Sequence, residues 1–157
     1  MIDGVVVKPL VVHPDVAEAG EAITKPGFLM EVLRDDDRML RRFGQTTFTV
    51  AYPGTIKAFH WHARQDDLWF VASGTVRVVL HDLRADSPTK GQTDVLTAGA
   101  GDYKLIVIPV GVAHGYQVIG HEPVLLFYHT TESYDPKNPD EQRIAHNDPG
   151  IGFDWTK

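Results

Sequence analysis

The sequence contains no cysteine. That rules out disulfides and a thiolate nucleophile, and it fits a reducing compartment. There is also no block of basic residues, and the net charge is −6 at pH 7. Nucleic-acid binding through a basic face is therefore not expected. An anionic small ligand stays open, because a few local cations can outweigh a weakly acidic whole. Long apolar runs are missing too: none approaches the ~20 residues that a membrane-spanning helix needs. The opening Met1-Ile2-Asp3-Gly4 lacks the basic-then-apolar pattern of a secretory signal. Together these absences predict a cytoplasmic protein with neither nucleic acid nor membrane as a partner. Internal repeats and low-complexity segments are likewise absent.

What remains is ordinary for a globular chain, with 43% hydrophobic and 23% charged residues. A length of 157 residues predicts one domain, 1–157, able to bury a single core. Val5 to Val12 reads as an edge strand, because Pro9 cannot donate to a ladder. Asp15 to Thr24 reads as a loop with one helical turn, and the basic run Arg38 to Arg42 as a short helix or a connection. From Thr46 onward, short β-rich segments alternate with Gly, Pro or Asp. They are Thr46–Tyr52, Ile56–His62, Leu68–Ala72, Thr75–Leu83, Thr93–Leu96, Lys104–Pro109, Gly115–Ile119 and Val124–Thr130. Val76, Val78 and Leu80 alternate with Arg77, Val79 and His81, which predicts a strand with one more buried face. Many short strands with no helical period between them predict an all-β sandwich or barrel of jelly-roll type. The tail from Tyr134 is rich in Pro, Asp and Asn and is expected to be irregular, with at most a helical turn.

The most informative stretch is Lys57-Ala58-Phe59-His60-Trp61-His62-Ala63-Arg64-Gln65-Asp66-Asp67. On a strand, residues i and i+2 share a face, so His60 and His62 are expected side by side with Ala58 and Ile56. Two imidazoles aimed into one space make a metal site or an acid/base site. Farther on comes Pro109-Val110-Gly111-Val112-Ala113-His114. The two blocks together resemble the paired motifs of the cupin superfamily, small β-barrels whose site lies inside. Asp67 stands where that pattern has glutamate, and Val118 where it has asparagine.

A closer resemblance runs from about Gly27 to Trp155. It is to the dTDP-4-dehydrorhamnose 3,5-epimerases, cupin-fold enzymes of nucleotide-sugar and carbohydrate biosynthesis. Gly27-Phe28-Leu29-Met30-Glu31 is similar to that family's Arg-Gly-x-x-x-Glu segment, with Pro26 in the arginine's place. Phe43, Gln45, Thr47, Thr49, Ala51 and Gly54 follow its first strand. Lys57 to His62 is similar to Arg-Gly-Leu-His-aromatic-Gln. Ile108 to Tyr116 is similar to Ile-Pro-x-Gly-x-Ala-His-Gly-aromatic. Tyr128, Tyr134-Asp135-Pro136 and the closing Asn147-to-Trp155 run complete the likeness. The resemblance implies a cupin-type jelly-roll β-barrel with short irregular or helical segments at the C-terminus. It also implies a homodimer, a nucleotide-linked sugar as substrate and no cofactor.

Carried over residue by residue, the resemblance implies His60 as a base paired with Asp148, and Tyr128 as the acid on the other side of the sugar. Glu31, Gln45, Lys57, His62 and His114 would contact substrate. A carboxylate beside an imidazole raises its pKa above the ~6.5 reference and fixes its tautomer, which suits a base working near neutrality. The departures cluster at the site: Asp67 replaces the lysine that holds the enolate oxygen, Lys57 replaces a phosphate-contacting arginine, and His62 replaces a glutamine. Strict alternation would point Lys57 away from His60, so its expected role requires the strand to bend near Gly54. A second reading remains open, in which His60, His62, Asp67 and His114 hold a divalent metal (zinc, iron, nickel or manganese). A 3,4-ketoisomerase-like use of His60 and His62 without metal and a non-catalytic binding module are further alternatives.

Overall fold

A computed structural model describes residues 1–157, and its regular structure is almost wholly β. The strands are β1 (Val6–Pro9), β2 (His13–Pro14), β3 (Phe28–Leu29), β4 (Gln45–Ala51), β5 (Ile56–Trp61), β6 (Asp67–Ser73), β7 (Thr75–Asp82), β8 (Thr93–Gly99), β9 (Lys104–Ile108), β10 (Val112–Ile119), β11 (Val124–Thr130) and β12 (Gln142–Arg143). The one helical element is a 3-10 turn at Asp35–Asp37, ended by Arg38 in the left-handed conformation at φ 53°. Arg38 to Arg42 is thus a connection, and within it Arg41 pairs with Asp66 at 2.6 Å. The C-terminal tail contains turns and the two-residue β12, with no helix. No helix of the structure is long and apolar enough to cross a membrane.

Two five-stranded antiparallel sheets face each other, in the orders β1-β9-β6-β11-β4 and β12-β5-β10-β7-β8. No hydrogen-bonded ladder joins them, so the jelly roll is an open sandwich rather than a closed barrel. Alternation along the strands supplies the interior. Val76, Val78 and Leu80 of β7 are fully buried there, against Ile106, Ile108, Val118 and Leu126. The expectation of one buried face on β7 is too modest. Val79, on the opposite face, is also fully buried, because Phe59, Ala113 and Trp155 pack over it. On the other sheet, Leu68, Phe70 and Leu105 point outward and are covered by the N-terminal segment through Leu10, Met30, Val32 and Leu40. Each sheet therefore has part of its back covered by irregular chain. The hydrophobic interior fills one end of the sandwich and leaves the other open.

The pairing of β5 with β10 has one irregularity that shapes the site. His60 lies opposite His114, but Lys57 lies opposite Tyr116. β5 thus has one residue more than β10 between those two pairs, a β-bulge. The bulge brings Ala58 so close to β10 that a Cβ on Gly115 would lie 2.3 Å from the Ala58 Cβ. Only glycine fits there.

Candidate active site

At the open end lies a cavity of about 1160 Å³. From one sheet, His60 on β5 and His114 and Tyr116 on β10 reach into it; from the other come Gln45, Thr47 and Thr49 on β4, Asp67 and Trp69 on β6, and Tyr128 on β11. The i, i+2 rule accounts for each of these sets. Lys57 also lines the cavity, although alternation would send it to the far face. The extra residue of the bulge reverses its direction, so the bend lies between Lys57 and His60 rather than at Gly54. Its Nζ donates to Thr49 Oγ1 at 3.1 Å.

His60 Nδ1 meets the carboxylate of Glu141 at 2.5 Å. Glu141 immediately precedes β12, whose Gln142 and Arg143 pair with Trp61 and His60. Burial works against a charge on Glu141, but the His60 hydrogen bond and the Arg143 guanidinium outweigh it and hold the carboxyl below its usual range. An ionised acceptor on Nδ1 fixes the proton there and leaves Nε2 as the basic nitrogen. Asp148, expected in this role, does not line the cavity. Its Oδ1 accepts from the Gly150 amide at 2.8 Å, which ties it into its own turn before Gly152. Glu31, expected to contact substrate, is exposed, 3.3 Å from His13 Nε2, and does not line this cavity.

Behind His60 lies a buried trio. His62 and His114 each place Nε2 3.6 Å from the carboxylate of Asp67. Asp67 also accepts from Gln65 Nε2 at 2.7 Å and Trp69 Nε1 at 3.1 Å. Burial opposes its charge, but the His62 imidazole beside it, the charge of His114 and the Gln65 hydrogen bond lower its pKa to about 2. For His62 burial again opposes charge, and the Asp67 carboxylate and Asp140 carbonyl outweigh it, so its pKa rises. For His114 burial wins and pushes the pKa down to about 4. Both rings turn Nδ1 to a backbone carbonyl, His62 to Asp140 and His114 to Val112 at 3.0 Å. One possible ligand atom from each of His62, Asp67 and His114 fits within a span of 4.8 Å. His60 is not in that group, because Glu141 holds it to one side. The four-ligand set expected from spacing is therefore three.

Tyr128 stands on the sheet opposite His60. Burial, then the negative charges of Asp67 and Glu141, raise its pKa, so the phenol keeps its proton at neutral pH. Gln45 bridges Thr47 Oγ1 and the Tyr134 amide. The tail supplies what sequence reasoning missed. Asp140 accepts from the amides of Ala63, Arg64 and Gln65 at 2.8–2.9 Å and so shapes the loop after His62. Arg64 and Arg143 add cations to the cavity wall. The one available signal was the acidic pair Asp140-Glu141 in a segment read as irregular.

Comparison with known proteins gives the family. A model of the dTDP-4-dehydrorhamnose 3,5-epimerase family matches residues 8–157. The spore coat polysaccharide biosynthesis protein SpsL of Bacillus subtilis is 51% identical over 156 residues, covering 99% of this chain and 97% of that protein. The probable low-salt glycan biosynthesis epimerase Agl13 of Haloferax volcanii is 37% identical over 83% of this chain and 85% of its own length. Among solved structures, the dTDP sugar isomerase of Desulfovibrio desulfuricans superposes with a TM-score of 0.85 at 29% identity, covering 99% of this chain and 92% of that one. A Legionella pneumophila 3,5-epimerase in complex with dTDP-4-keto-L-rhamnose gives 0.79 at 26% identity, over 98% and 79%. The chain belongs to the dTDP-4-dehydrorhamnose 3,5-epimerase family, isomerases of 4-keto-6-deoxy nucleotide sugars.

Proposed function

We propose that this chain epimerises a dTDP-linked 4-keto-6-deoxy sugar, with His60 as base, Glu141 as the carboxylate that orients it, and Tyr128 as acid. The observation that carries this reading is the placement of His60 and Tyr128 on opposed sheets across one cavity. A proton beside a ketone is acidic because its removal gives an enolate. A base on one face of the sugar and an acid on the other invert the carbon between them. His60 Nε2 takes the proton while Glu141 steadies the imidazolium through Nδ1, and the Tyr128 phenol returns a proton. Such positioned proton transfer contributes ~10²–10⁴-fold each way. Lys57, Arg64 and Arg143 are the cations on the cavity wall that a nucleoside diphosphate could use, on a lining that also carries Asp67, Glu132, Asp135, Asp140 and Glu141. His62, Gln45 and the buried His114 line the same space. The reading includes a homodimer, supported by the half-exposed Phe48 on edge strand β4, and work in the cytoplasm, where nucleotide-linked substrates are at hand.

The test is deuterium uptake from heavy water at C3 and C5 of dTDP-4-keto-6-deoxyglucose. Exchange with the wild type and none with His60→Asn is expected. No exchange at either carbon by the wild type would remove the reading.

A second reading is favoured by one observation: the Nε2 atoms of His62 and His114 and the Asp67 carboxylate converge, with both Nδ1 atoms held by carbonyls. That is the arrangement second-shell partners impose on metal-ligating histidines. His62, Asp67 and His114 would hold a divalent ion, which would act as a Lewis acid on a carbonyl. Metal analysis of protein purified without a histidine tag decides it. A stoichiometric ion lost in His62→Ala supports this reading, and none after reconstitution refutes it.

A further inference from the structure

Tyr116 lies on β10, two residues beyond His114, with its ring edge-on to Trp69 at 5.7 Å between centroids. The residue is only 4% exposed. Its phenol oxygen is the one buried side-chain polar atom in the protein with no hydrogen-bond partner. Buried hydroxyls without partners are rare, and each needs a reason. The Thr49 hydroxyl is near enough to act on it, yet Thr49 is not placed to complete a hydrogen bond and already accepts from Lys57 Nζ at 3.1 Å. Tyr116 lines the same cavity as His60 and Tyr128. The phenol is a hydrogen-bond donor at neutral pH and lacks an acceptor.

We propose that the Tyr116 hydroxyl is a substrate-binding donor that gives its hydrogen bond to an oxygen of the bound nucleotide sugar. Two oxygens have the required chemistry, the sugar's C4 carbonyl, which becomes the enolate, and a phosphate oxygen near Lys57. The assignment rests on the epimerase reading.

The experiment is Tyr116→Phe, which removes one oxygen and keeps the ring. Three measurements are made beside the wild type: thermal unfolding, dTDP binding by calorimetry, and deuterium uptake by dTDP-4-keto-6-deoxyglucose. The midpoint should stay or rise, since no native hydrogen bond is lost. If the acceptor is phosphate, dTDP binding weakens about 5- to 100-fold. If it is the C4 oxygen, dTDP binding is unchanged and kcat for exchange falls about 10²-fold. Wild-type values in both assays, or a midpoint several degrees lower, overturn the proposal. A wild type that neither binds dTDP nor exchanges removes the epimerase reading itself, and this assignment with it. An active wild type matched by the variant removes only the assignment.

Discussion

In the proposed mechanism His60 and its carboxylate set the chemistry, and the choice of carboxylate is open to a direct test. Glu141 touches Nδ1 at 2.5 Å, whereas Asp148 is spent on its own turn. Glu141→Gln keeps the shape but lets the ring take the wrong tautomer, so kcat for exchange should fall about 10²-fold. Asp148→Asn should leave kcat near the wild type. Equal losses in both variants would return the role to Asp148. Asp82 supplies a stability test away from the site. It is 1% exposed and accepts from Arg84, Ser87 and Thr89. The Arg84 hydrogen bond leads in holding its carboxyl far below the usual range, with burial opposing. A depressed folded pKa contributes stability that is complete above the unfolded value of ~3.9 and is lost as pH falls below it. Asp82→Asn should cost about 2–3 kcal/mol at pH 7 in urea unfolding. The deficit relative to wild type should shrink as the pH drops from 5 toward 2. A deficit that does not change with pH would refute the linkage.

At the scale of elements, the strand list from Thr46 to Thr130 was legible because alternation and turn residues are local signals. His60, His62, Asp67 and His114 were singled out by motif spacing and strand period, and Gln45 and Tyr128 by the family resemblance; all six line the cavity. Two features were not legible, for one reason: both depend on pairing between strands. The bulge on β5 exists only in register with β10, so Lys57 seemed to point the wrong way. β12 is two residues long and has no period of its own, so Glu141 lay hidden in a tail rich in turn residues. Gly115 tests the bulge. A methyl there meets Ala58 Cβ at 2.3 Å and the Lys57 carbonyl at 2.9 Å. Gly115→Ala should lower stability by about 1–3 kcal/mol, read as a lower urea midpoint. It should also reduce exchange, because the strand that moves carries both Lys57 and His60. An unchanged midpoint would mean that β5 and β10 are not in this close contact.

At the scale of the whole molecule, each sheet ends in two edge strands, β12 and β8 in the His60 sheet and β1 and β4 in the other. An uncovered edge invites pairing with another chain. Of these, β4 lines the cavity with three of its side chains. Its outer face carries Phe48, 50% exposed and 4.8 Å from Phe127 between ring centroids, with Val50 40% exposed beside it. Its inner face carries Gln45, Thr47 and Thr49. The strand that offers an apolar surface is therefore also a wall of the cavity, so covering it with a second copy would stiffen the site. Light scattering on a sizing column should give two chains per particle for the wild type and one for Phe48→Glu. The same substitution should raise KM for the nucleotide sugar, because Gln45, Thr47 and Thr49 share its strand, and lower kcat as well, because Thr47 pairs with Tyr128. A dimeric Phe48→Glu would move the interface off β4, and a wild type that is monomeric at assay concentration would leave the wall of the cavity to be held by this chain alone.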